Sequence, residues 1–183
     1  MTTCTKDSHQ LPAVTAAAND RASSNQLEAV LSGLSFLIVY DVMGTCKMVR
    51  ELIKELGARA DQISMCPSVL LAKQRLTISP VDVVISDLHL RDGKGLELLR
   101  NVRAHPQQKD SVFLIITGDP TSELVNESVD LGVSSVLVKP ITFTNLREHL
   151  QFSLKRFLRL TDPPSAGEPP SPLKPVDKPQ KVR

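Results

Sequence analysis

Four apolar runs of strand length constrain this chain most: FLIVY (36–40), VDVVI (81–85), VFLII (112–116) and VLV (136–138). They are nearly continuous rather than alternating, so each must be covered on both faces, as in a parallel sheet packed between helices. Segments with helical spacing lie between them. Cys46, Val49, Leu52, Ile53 and Leu56 repeat at helical spacing ahead of Gly57, a natural cap. Leu96, Leu99 and Val102 form a second stripe, and Leu124, Val125 and Val129 a third. Asp119-Pro120 is predicted to open that third helix, with Asp as cap and proline in the first turn. A last helix is predicted over 143–160, with Leu146, Leu150, Leu154 and Phe157 on one side. Weaker patterns place a strand at 62–66 and a helix at 67–76. Five strand–helix units in succession predict an α/β fold: a five-stranded parallel sheet, doubly wound, with helices on both faces.

The remainder of the 183 residues falls outside this pattern. Residues 1–34 are read as a flexible N-terminal arm rich in Ala, Ser, Thr, Asn and Asp. Within it, Leu27, Val30, Leu31 and Leu34 have the spacing of a short helix over 24–34. Residues 35–160 form the domain. Residues 161–183 hold seven of the 13 prolines and are read as an extended Pro-rich tail, too short and polar for a separate output domain. A formal net charge of +2 argues against a dedicated nucleic-acid binder. No apolar run approaches the roughly 18 residues of a membrane span. The N-terminus lacks a charged start followed by an apolar stretch, and Cys4, Cys46 and Cys66 suggest no disulfide framework, so a cytoplasmic location is expected.

Ligands of such sheets bind beyond the carboxyl ends of the strands, and those ends are polar here. The first ends in Tyr40-Asp41, the second buried run in Ser86-Asp87, the third in Thr117-Gly118-Asp119 and the last in Lys139-Pro140. A lone Asp at a strand end is most often a cap or turn residue. Two carboxylates, a hydroxyl and an ammonium converging on one rim say more. The carboxylates repel and call for a cation or a shared proton. Mg²⁺ suits one or two carboxylates plus waters. A carboxylate can also act as the nucleophile in phosphoryl transfer, with a basic side chain holding the phosphoryl oxygens.

The segments FLIVYDVMGTCKMVRELIKELG, VVISDLHLRDGKGLELLRNVR, FLIITGDP and SSVLVKPIT resemble the receiver domain of two-component response regulators, of the single-domain chemotaxis type. The resemblance covers about 35–158. It implies a phosphorelay protein rather than an enzyme, at most phosphorylating and dephosphorylating itself. Asp87 matches the phosphoacceptor, and Asp41 the acid that binds Mg²⁺ directly. The backbone carbonyl of His89 matches a further metal ligand. Thr117 matches the hydroxyl that moves toward the phosphoryl group, and Lys139 the lysine that pairs with its oxygens. The Lys139–Pro140 bond is expected to be cis, which costs about 0.5–1 kcal/mol for proline. The implied partners are a histidine kinase or histidine phosphotransfer protein as donor and a protein as output, a second copy of the chain being one candidate, with no nucleic acid and no membrane.

Several positions depart from the family pattern. Tyr40 stands where the first acid of the pair belongs, which is expected to weaken Mg²⁺ binding. Two readings stay open: phosphorylation on Asp87 with altered kinetics, or a pseudo-receiver that acts as an interaction module without phosphate. Val136 replaces an aromatic switch residue, so a signal would travel through backbone and helix shifts. The loop Arg91-Asp92-Gly93-Lys94 lacks the proline common after the acceptor and is expected to be looser. The His89 side chain is read as an exposed bystander, and His105 and His149 as surface residues. Cys46 and Cys66 are expected to be buried. Arg147, Lys155, Arg156 and Arg159 make the last helix basic on one side, and its exposed apolar residues Phe152, Leu158 and Leu160 offer a contact surface. A hydrolase with an aspartyl-phosphate intermediate would carry Asp-x-Asp at the first strand end, where this chain has Tyr40-Asp41-Val42.

Overall fold

The computed structural model describes residues 24–155. Helix α1 spans 24–31, followed by β1 (Phe36–Val39), α2 (Met43–Glu55), β2 (Ile63–Cys66), α3 (Val69–Ile78) and β3 (Val83–Asp87). A small hairpin, β4 (His89–Leu90) and β5 (Gly93–Lys94), precedes α4 (Gly95–Ala104), β6 (Val112–Thr117), α5 (Ser122–Asp130), β7 (Ser135–Val138) and α6 (Phe143–Ser153). The main sheet is parallel throughout, in the order β2-β1-β3-β6-β7. This is the expected doubly wound sheet. The chain reverses direction across the sheet between β1 and β3, and that topological switch point is where such sheets open a crevice.

The near-continuous apolar strands divide between two cores. Phe36, Ile38, Tyr40, Ile85, Leu114 and Ile116 face α1, α2 and α6 in one cluster. Leu37, Val39, Val84, Phe113 and Ile115 face α3, α4 and α5 in the other. Strand residues alternate between the two, which is why no position in β3 or β6 is left to solvent.

Several boundaries differ from the sequence expectation. The second buried run pairs two residues later, from Val83, because Asp82 is engaged at the strand's start: its carboxylate accepts from the Ser35 N–H and hydroxyl at 2.8 and 2.7 Å. Helix α5 begins after Thr121 rather than Asp119, since the Thr121 hydroxyl caps Leu124 N–H. Helix α3 begins after Ser68, whose hydroxyl caps Leu71 N–H. The expected extension of the last helix to Leu160, and the Pro-rich tail, lie outside the described residues.

Residues 24–31, read from sequence as part of the flexible arm, are packed onto the domain. Leu27, Leu31 and Leu34 are buried in the α2/α6 cluster. Gly57, at a φ of 111°, lies so close to this helix that a Cβ there would sit 2.4 Å from Glu28 Cγ. The physical reason is the leucine stripe, which finds apolar surface left open between α2 and α6. Leu31→Ala is therefore expected to lower global stability by about 2–5 kcal/mol, the cost of truncating a buried leucine, as measured by urea denaturation. An arm lying loosely on the surface would lose almost nothing.

Candidate functional site

Strand pairing brings the polar strand ends together. Val39 pairs with Ser86, so Tyr40 and Asp41 continue β1 beside the end of β3. Asp87 pairs with Ile116, so Thr117 lies one step further along β6, opposite Val138 of β7. Lys139 then leaves β7 at the same rim, through a cis Lys139–Pro140 bond, as expected. The next turn is fixed by a capping box, in which Thr142 and Asn145 satisfy each other's backbone N–H groups. Asn145 Nδ2 also donates to the Pro140 carbonyl at 2.9 Å.

Asp87 is buried, and its Oδ2 accepts a hydrogen bond from Lys139 Nζ at 2.9 Å. The Asp87 backbone is tightly enclosed. Gly95, the first residue of α4, packs so closely that a Cβ would lie 2.4 Å from the Asp87 carbonyl oxygen. Thr117 is fully buried, and its hydroxyl is engaged locally, accepting from Asp119 N–H at 3.1 Å and donating to the Asp119 carbonyl at 3.3 Å. Val136 is half-buried in β7. The exposed His89 side chain, with Lys94, Asp119 and Glu123, lines a cavity of about 260 Å³ between α4 and α5.

Tyr40 decides the character of the pocket floor. Its ring is 1% exposed and belongs to the α2/α6 apolar cluster. Lys139 Nζ sits 5.3 Å from the ring centroid, so the ring lines the site from below. The phenol oxygen is buried with no hydrogen-bond partner among the described residues. Burial, reinforced by the Asp87 and Asp41 carboxylates and by Cys46, pushes the phenol far above its ordinary range and keeps it neutral. Burial likewise pushes the Cys46 thiol up to about 11.

Asp41 is mostly covered, and its Oδ2 lies 3.4 Å from Arg91 Nε in the β4–β5 turn. Sequence reading did not anticipate this pair, because nothing in either segment announces a contact between residues so far apart in the chain. The turn itself is not loose as expected: the Asp92 carboxylate accepts from Val69 and Leu70 N–H at 2.9 Å each, pinning the hairpin to the start of α3. His149 is half-buried beside Ser135 rather than at the surface, with Nδ1 2.5 Å from its hydroxyl. Cys46 and Cys66 are buried, as expected.

A parallel doubly wound sheet with an aspartate and a lysine joined at its switch-point rim is the arrangement expected of a receiver domain. The model of the response regulator receiver domain family matches residues 36–151, and the chain belongs to that family. Chemotaxis protein CheY-3 of Vibrio cholerae is 30% identical over 131 residues, covering 71% of this chain and 99% of the relative. The solved CheY-like receiver domain of Methylobacillus flagellatus is 30% identical with a TM-score of 0.57, covering 66% of this chain and 98% of that one. The receiver domain of a sensor histidine kinase from Pseudomonas aeruginosa, solved with a magnesium ion in its active-site cleft, shares the fold at 19% identity and a TM-score of 0.58, covering 69% of this chain and 98% of that one. The chain is thus a response regulator of the phosphorelay signal-transduction class, and receiver domains of this class are signalling modules rather than enzymes.

The unpartnered Tyr40 hydroxyl generates a test. Tyr40→Phe keeps the ring and removes a buried group that lacks a partner, so stability at neutral pH should be unchanged or higher, by up to about 1 kcal/mol. Because the phenol keeps its proton in the folded state, the unfolded chain ionises first, and the parent loses stability as pH rises beyond the unfolded pKa of about 10. The variant should therefore lose stability less steeply than the parent above about pH 10. Cys46 supplies a slope common to both proteins. Urea midpoints across this range, compared for the two proteins, check both points.

Proposed function

We propose that Asp87 accepts a phosphoryl group from a histidine kinase or histidine phosphotransfer protein, with Mg²⁺, in a cytoplasmic phosphorelay. The observation that carries this reading is the 2.9 Å pair between Asp87 Oδ2 and Lys139 Nζ at the switch-point rim. An Asp87 oxygen attacks phosphorus, the new P–O bond forms, and the P–N bond to the donor imidazole breaks with its electrons leaving on nitrogen. Lys139, already against the carboxylate, holds the phosphoryl oxygens as they arrive. Thr117 exchanges its bonds to the Asp119 backbone for one to a phosphoryl oxygen, drawing the β6–α5 segment with it.

The donor set fits the metal in kind. Asp41 and Asp87 each have one oxygen paired to a basic side chain and the other without a protein partner among the described residues. Together with the His89 carbonyl they would hold the ion, which needs only one or two carboxylates beside its waters. When bound, Mg²⁺ supplies neutralisation of charge on the transferring oxygens. Tyr40 contributes no charge to that set, so affinity is expected to be low.

The phosphorylated state then shifts an existing equilibrium between two surface conformations. With valine at position 136, the change is carried by the Thr117–Asp119 segment and α5 rather than by an aromatic rotamer. Output is a protein contact, and a second copy of the chain is one partner to test by sizing the phosphorylated form. Of the proposed contact residues on the last helix, Phe152 is 60% exposed, and Lys155 Nζ lies 4.7 Å from its ring centroid. Leu158 and Leu160 lie outside the described residues.

Incubation with acetyl phosphate and Mg²⁺, followed by intact mass, should show one added phosphoryl group that Asp87→Asn abolishes. Lys139→Ala should reduce its formation by at least tenfold, as for loss of a charge-stabilising group. No Asp87-dependent adduct, even with a phosphohistidine donor, would instead make the domain an interaction module that works without phosphate.

A further inference from the structure

The acid pocket is balanced by charges from its own chain. Two carboxylates, Asp41 and Asp87, face two basic groups, Arg91 and Lys139, in separate pairs. Tyr40, where an acid would add a third negative charge, is neutral and buried. Lys139 belongs to the phosphoryl site, but Arg91 has no part in the reading above. It occupies Oδ2 of the carboxylate assigned to the metal.

Its position is enforced by the backbone. The β4–β5 hairpin pairs His89 with Lys94 and Leu90 with Gly93, leaving Arg91 and Asp92 as its turn. Leu90 is buried beneath it, and Asp92 ties the turn to two N–H groups of α3. The turn is thus anchored on both sides, and Arg91 projects from it to Asp41 with a side chain that is 80% exposed. A guanidinium does not lose its proton in proteins, so this charge is present at every physiological pH.

We infer that Arg91 is a tethered rival of the divalent cation at Asp41. This rests on the reading that Asp41 and Asp87 hold Mg²⁺. Metal binding sets a second cation at the same carboxylate, so charge repulsion weakens the pairing of the guanidinium with Asp41 Oδ2, and with the turn pinned the exposed Arg91 side chain is the part free to swing away. Where Tyr40 lowers the attraction for metal, Arg91 adds a competitor, and together they set the Mg²⁺ concentration at which the protein becomes competent.

The test is a Mg²⁺ titration of the full chain without any phosphodonor, followed by NMR amide shifts, for the parent and for R91A, R91K and D41N. An exposed pair contributes up to about 1 kcal/mol, so R91A should bind Mg²⁺ about three- to fivefold more tightly than the parent. R91K, which keeps the charge, should lie between them, and the Arg91 Nε–H signal of the parent should shift as metal saturates. Equal affinities of parent and R91A, with D41N abolishing binding, would overturn the role of Arg91 and leave the metal site standing. No Mg²⁺ binding by parent or R91A would remove both the rivalry and the metal part of the proposed function. Because Arg91 is largely in solvent, R91A is expected to keep the parent's urea midpoint, so its titration reads the site and not the fold.

Discussion

Electrostatic balance at one corner of the sheet is the constraint on which the site depends. Parallel pairing of β1 with β3 sets the Asp41 and Asp87 segments side by side. Two carboxylates there repel unless cations face them. Lys139, delivered across the sheet by the end of β7, pairs with one, and Arg91 of the hairpin pairs with the other. The cis turn after Lys139, the Thr142–Asn145 capping box and the close approach of Gly95 to the Asp87 carbonyl hold those groups in register. Three of the rim's loops are tied by specific bonds: the hairpin to α3 through Asp92, the β6–α5 segment through the Thr117 hydroxyl, and the turn into α6 through its capping box.

Tyr40 links that corner to the apolar core. Its ring is buried with Phe36 and Ile38, following the alternation of β1, while its hydroxyl feels the field of both carboxylates and has no hydrogen-bond partner among the described residues. An unpaired buried hydroxyl has a cost in stability, here beside a site where a carboxylate would instead add charge. Core packing and pocket charge are therefore set by the same side chain. Lys139 responds to both, pairing with Asp87 and lying over the aromatic face.

Helix α1 adds a second layer of adaptation. The family match begins at residue 36, yet 24–31 contributes buried leucines to the α2/α6 cluster. Arg147 of α6 donates to the Ser24 hydroxyl at 2.6 Å, tying the helix at its other end. The face built by α2 and α6 is consequently thicker at its base than a sheet-and-helix sandwich alone would make it.

The apolar runs and helical stripes by themselves determined the doubly wound parallel sheet. The strand-end residues placed Asp41, Asp87, Thr117 and Lys139 on one rim, because parallel strands must end on the same side. Caps were less legible: Ser68 and Thr121, not Pro67 or Asp119, start their helices, since capping depends on which hydroxyl reaches a free N–H. Only the tertiary structure decided that the leucines of 24–34 join the core, that the Tyr40 ring turns inward beneath Lys139, and that Arg91 reaches Asp41. Periodicity reports which face of an element is covered, but not by what. Pairings between distant segments are set by packing and loop geometry, which local sequence does not encode.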